Sequence, residues 1–105
     1  MFGRRKSQRV ELAAKVQTQS TGFSFLAAAG DVGEGGMLIF TANPSPLGEE
    51  VRLEFTLPGS PETISTGAVV VRVVPGTSMG VRFNDLDPDA LAAIRRFVEK
   101  AGKSG

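Results

Sequence analysis

Between Val51 and Leu57 the chain alternates without a fault: Val51, Leu53, Phe55 and Leu57 are apolar, whereas Arg52, Glu54 and Thr56 are polar. Successive side chains of an extended chain point to opposite faces, so this run predicts a strand with one buried face. A helix would scatter the same four apolar residues around its circumference. The period of two returns in Val10, Leu12, Ala14 and Val16, and again in Phe23, Phe25 and Ala27. Met37–Phe40, the β-branched stretch Ile64–Val74 and Met79–Phe83 read as three more short strands. Gly67 inside the longest of them marks a bulge or a close backbone approach. Gly and Pro separate the runs, with turns read at Gly30–Gly36, Pro44–Gly48, Pro58–Pro61 and Pro75–Ser78.

The period changes only near the C-terminus. Asp87 suits an N-cap, Pro88 the first helical position, and Asp89 the positive end of the helix dipole. Leu91, Ile94, Val98 and Ala101 then recur at helical spacing as one apolar stripe, and Gly102 is a natural stop. Five to six short antiparallel strands and one C-terminal α-helix predict a mainly β fold: a small β-barrel with the helix packed on it. Phe23, Phe25, Phe40, Phe55 and Phe83 sit at alternating strand positions and read as core.

At 105 residues the chain fits one domain. It contains no Cys, His, Tyr or Trp. That excludes disulfides, thiolate chemistry, imidazole acid–base catalysis and zinc sites built from Cys or His. No nucleophile–base pair can be assembled from the rest, so a binding module is expected rather than an enzyme, with no metal and no cofactor. Net charge is +1, yet Arg4, Arg5, Lys6 and Arg9 fall in the first nine residues with no acid among them. An anion is therefore expected to meet the N-terminal end, not a broad basic stripe of the kind that holds duplex DNA. No stretch has the length to span a bilayer, and Val10–Lys15 is too polar for a secretory core, so a soluble cytoplasmic chain without membrane insertion is expected.

Three short motifs fail on their own chemistry. Gly102-Lys103-Ser104 mimics the end of a phosphate-binding loop, but Phe97 stands where its first Gly belongs. Asp85, Asp87 and Asp89 open like a calcium loop, yet Ala90 replaces the turn Gly and Arg96 the bidentate Glu. The glycines of 30–36 lack dinucleotide spacing and lead into an apolar strand rather than a helix.

Two features survive: Arg5-x-x-x-Arg9 and Asp31-x-Gly33-x-x-Gly36. An Arg fork donates paired hydrogen bonds to guanine O6 and N7 or to a phosphate, and it stacks on a base. An ionised Asp only accepts, which suits the N1–H and N2–H₂ edge of guanine. Glycines let backbone N–H groups approach an anion closely. Guanine and phosphate recognition are both within reach of these residues, although the residues alone do not dictate the combination.

In order and spacing the two motifs resemble the signature of the PilZ domains, small barrels that bind the bacterial second messenger cyclic di-GMP, a resemblance that implies a six-stranded antiparallel β-barrel with one C-terminal α-helix. The segment Met79–Pro88 also resembles the family's exit into its terminal helix. The likeness extends over about residues 3–101. It implies a flexible basic arm at 1–9, a barrel with its helix at 10–101 and a frayed tail at 102–105. It further implies that Arg4, Arg5 and Arg9 engage guanine and phosphate, that Asp31 reads a guanine edge, and that Gly33 and Gly36 line the ligand, Gly36 in a tight turn. The family's Ser is Gly33 here, so one hydroxyl donor is missing. A hydrogen bond to a charged group is worth roughly 1.5–3 kcal/mol, so its loss weakens binding about ten- to a hundredfold. The implied function is a cyclic di-GMP receptor whose arm folds over the ligand and signals to a downstream protein, in motility or biofilm regulation. The alternative is a degenerate domain that serves as a nucleotide-independent protein adaptor. A barrel for single-stranded nucleic acid is disfavoured by the scarcity of basic and aromatic surface beyond the arm.

Overall fold

The protein is described from a computed structural model, which covers residues 9–20 and 23–103. Six strands run in the order β1 (Arg9–Ser20), β2 (Phe23–Gly33), β3 (Gly36–Phe40), β4 (Glu50–Thr56), β5 (Thr63–Val74) and β6 (Ser78–Asn84). Helix α1 (Pro88–Lys103) follows. Every neighbouring strand pair is antiparallel, and the sheet closes on itself in the order β1-β2-β3-β6-β5-β4. Closure removes the unpaired edges that an open sheet exposes.

The alternation dictates which face turns inward. On β4, Val51, Leu53 and Phe55 are buried while Arg52, Glu54 and Thr56 face solvent. Val16, Val32, Met37, Ile39, Val70, Met79 and Val81 complete the interior from the other strands. Burying a side chain of this size contributes roughly 1.5–3 kcal/mol, which makes the barrel interior the main source of stability. The Phe55 and Phe83 rings stack there with centroids 6.2 Å apart.

Phe40 departs from its expected place. Met37 and Ile39 take the inward positions of β3, which leaves Phe40 about half exposed on the outer face. Its ring covers Gly30, where a Cβ would stand 2.5 Å from Phe40 Cε2. Phe25 is half-buried against the core.

β2 is longer than its sequence implied. It runs through Gly33, so the turn read over 30–36 shrinks to Glu34 and Gly35. An irregularity between Ala29 and Asp31 absorbs Gly30 and preserves the inward direction of Val32. Gly67 marks a close approach, since a Cβ there would lie 2.8 Å from Asn84 Oδ1. The bulge of β5 falls instead between Val70 and Arg72.

α1 begins as its sequence predicts. The Asp87 carboxylate accepts a hydrogen bond from the Ala90 N–H at 3.0 Å, while its carbonyl accepts one from Leu91 N–H at 2.9 Å. The helix packs on β1 and β2 and buries Ala90, Ile94 and Val98, with Leu91 only half-buried. It continues through Gly102 to Lys103 rather than stopping at Gly102, so the tail read over 102–105 starts too early; residues 104–105 lie outside the described residues.

Candidate functional site

Arg9 is the first residue of β1 and pairs directly with Gly33, the last residue of β2. The arm read as 1–9 therefore gives up its final residue to the sheet, while Arg4 and Arg5 lie outside the described residues. Asp31 precedes Gly33 by two residues on the same face, so Arg9 meets it diagonally across the strand pair. Arg9 Nε donates to Asp31 Oδ1 at 2.8 Å, and Nη2 stands 2.6 Å from the same oxygen. Both contacts use Oδ1. Among the described residues Asp31 Oδ2 accepts no bond, so the carboxylate retains an acceptor and the guanidinium retains donors.

Glu11 stands directly opposite Asp31 in the same register. Two carboxylates facing each other across a strand pair repel, and Arg9 offsets that repulsion at Asp31. The arrangement concentrates acceptors and one fork of donors at one end of the β1–β2 ladder.

The hairpin end beside them carries little side chain. Gly33 and Gly36 flank the Glu34-Gly35 turn, and both are buried. Gly36 does not need a left-handed backbone, because among the described residues the positive-φ glycines are Gly48, Gly59 and Gly76. Its reason is space: a Cβ at Gly36 would stand 2.0 Å from the Val81 carbonyl oxygen. Gly35 accepts a hydrogen bond from Phe83 N–H at 2.8 Å, which fixes the turn against β6. Glu34 reaches the other way, to Arg95 Nε of α1 at 3.2 Å. The turn is thus held by a strand on one side and tied to the helix on the other.

Four of the six residues singled out from the sequence, Arg9, Asp31, Gly33 and Gly36, therefore gather at one end of the β1–β2–β3 sheet. Glu11, Glu34 and Arg95 join them, although neither motif specifies them. Glu11 was within reach of the strand period, since it lies two residues from Arg9 and so shares its face. No local signal brings Arg95 to Glu34; that contact depends on how the helix crosses the barrel end. Chemically the arrangement can accept hydrogen bonds from a base edge, donate a guanidinium fork to an anion, and let either approach the backbone closely. Among the described residues no group of three or more acidic residues could hold a metal ion, and no helix is long and apolar enough to cross a membrane.

The comparisons with known proteins agree with this architecture. The family model of the PilZ domain matches residues 3–100. No curated protein matches the chain. Among solved structures, the Bacillus subtilis inhibitor of motility MotI/DgrA superposes with a TM-score of 0.85 at 20% identity, over 98% of this chain and 53% of its own. The present chain thus spans about half the length of that protein. The PilZ domain of Escherichia coli YcgR, solved with cyclic di-GMP, superposes with a TM-score of 0.73 at 18% identity, over 97% of this chain and 94% of its own. The Borreliella burgdorferi PlzA protein, also in complex with cyclic di-GMP, gives a TM-score of 0.70 at 12% identity, over 90% of this chain and 41% of its own. At such identities these structures establish the six-stranded barrel with its C-terminal helix.

Proposed function

The chain belongs to the PilZ domain family, and from that premise we propose that it is a receptor for cyclic di-GMP. The observation that carries this reading is the Arg9–Asp31 pair set beside the bare glycine hairpin, with Asp31 Oδ2 unused among the described residues. In the bound state Asp31 accepts from the guanine N1–H and N2–H₂ edge. Arg9 supplies its fork to a phosphate or the base, and Arg4 and Arg5 add charge from the N-terminal arm. Binding Arg9 elsewhere costs little, because its pair with Asp31 is partly exposed and such pairs are worth at most about 1 kcal/mol. The output is a changed surface read by a partner protein rather than a chemical step.

Isothermal titration with cyclic di-GMP, with cyclic di-AMP as control, tests the reading. Protein concentration comes from amino-acid analysis, since the chain has neither Tyr nor Trp. Saturable binding of the guanine compound alone is expected, and its titration end point gives the stoichiometry. Absence of binding to both, repeated in a second assay to exclude a vanishing heat, removes the receptor reading.

One residue favours a second reading. Gly33 stands where the family places Ser, so the ligand loses a donor, and a domain in that condition would serve as an adaptor that recognises protein without nucleotide. Unchanged capture of a protein partner with and without cyclic di-GMP would be its signature.

A further inference from the structure

Arg82 lies on the other flank of the same hairpin end. It is directly opposite Gly36 across the β3–β6 ladder, as Arg9 is directly opposite Gly33 across the β1–β2 ladder. The facing residue on each side is a glycine, which presents no side chain of its own to either arginine. The β6 alternation turns Val81 and Phe83 inward and Arg82 outward, where it is exposed. Its position relative to the hairpin is fixed by the backbone: Phe83 N–H bonds to the Gly35 carbonyl, and Gly36 packs on Val81.

Charge distinguishes Arg82 from the other arginines nearby. Arg9 pairs with Asp31 and Arg95 with Glu34, whereas Arg82 has no ion-pair partner among the described residues. Its register neighbour on β5 is Val69, which is uncharged. One strand spacing, about 5 Å, separates Arg82 from Gly36, a gap that a side chain of its length spans. An uncompensated guanidinium beside bare backbone is a position for an anion, and its planar fork matches two phosphate oxygens.

We propose that Arg82 is a ligand-binding residue, gripping a phosphodiester of the bound cyclic dinucleotide from the β6 side while Arg9 and Asp31 hold the ligand from the β1–β2 side. The assignment rests on the receptor reading and adds to it a second cationic wall. Asp31 is suited to a base edge, so the negative charge of the phosphodiesters is left to the arginines.

Titrations of wild type, Arg82→Ala, Arg82→Lys, Arg72→Ala and Arg9→Ala with cyclic di-GMP at low and moderate salt test it. Arg72 is the control, an exposed arginine on β5 opposite Gly80 and farther from the hairpin end. Arg82→Ala is expected to weaken binding about ten- to a hundredfold and to flatten its salt dependence, with its melting temperature unchanged. Arg82→Lys keeps the charge but not the fork and should fall between. Arg72→Ala should stay within about threefold of wild type. Wild-type affinity in Arg82→Ala, alongside loss of binding in Arg9→Ala, would overturn the role of Arg82 and leave the receptor reading standing. Equal losses in Arg72→Ala and Arg82→Ala would also overturn it, by showing a net-charge effect. No binding by wild type would remove both.

Discussion

Gly36 has no room for any side chain, because the Val81 carbonyl already occupies the space a Cβ would take. The obstructing atom is backbone, so relief requires β3 and β6 to separate. Gly36→Ala should therefore cost about 3 kcal/mol, read as a lower midpoint in urea unfolding; an unchanged midpoint would show that the hairpin moves freely from β6. Thr18 presents the opposite case. It is fully buried in β1, and its Oγ1 has no hydrogen-bond partner among the described residues. Thr18→Val replaces that hydroxyl with a methyl of similar size, so stability should rise by about 1 kcal/mol and the melting temperature by roughly 4–8 °C. Gly33→Ser restores a hydroxyl beside Asp31. Cyclic di-GMP affinity should rise about tenfold in the receptor reading and stay unchanged in the adaptor reading. At this scale the sequence marked Gly36 through its place beside a turn, whereas its need for clearance from β6 shows only in the structure. A glycine needed for positive φ and one needed for clearance look alike until the facing strand is known.

Elements are held by their ends, and the two ends nearest the site differ in strength. The Asp87 cap satisfies an otherwise unpaired helix N–H, so Asp87→Ala should destabilise the protein by about 1 kcal/mol. The Glu34–Arg95 tie is an exposed ion pair, and Arg95→Ala should change stability by less than about 1 kcal/mol. Chemical denaturation of both variants orders the two contributions; a larger loss in Arg95→Ala would mean that the helix is held mainly through the turn. The cap was legible because Asp87-Pro88 acts within one helical turn. The length of β2 was not, since Gly30, Asp31 and Gly33 have the composition of a loop. What makes them strand is β1, whose residues Arg9 to Glu11 supply hydrogen-bond partners twenty or more positions away. For the same reason Phe40 was misplaced: two apolar faces meet in Met37–Phe40, and only the register with β6 decides which one turns inward.

On the scale of the whole molecule, the core and the proposed ligand site occupy different faces of one sheet. The interior of the barrel carries Val32, Met37 and Val81, while the outer side of the same strands carries Asp31 and Arg82. The strand period makes this separation unavoidable, because each inward residue is followed by an outward one. The proposed binding residues can therefore be exchanged without opening the core, which was foreseeable from alternation alone, whereas their convergence at one end needed the barrel order. The separation has a measurable consequence. Arg9 is about two-fifths exposed and Asp31 about a quarter, so their pair adds no more than about 1 kcal/mol to folding. Arg9→Ala and Asp31→Ala should each melt within a few degrees of wild type. In the proposed ligand-bound state the same side chains would make charge-assisted bonds that water no longer screens, and each variant should lose cyclic di-GMP affinity by about ten- to a hundredfold or more. Thermal melts with and without ligand measure both at once: wild type should shift upward with cyclic di-GMP, and the variants should not. If the variants instead melt far below wild type without ligand, the outer-face pair belongs to the fold, and their lost binding would no longer identify a site.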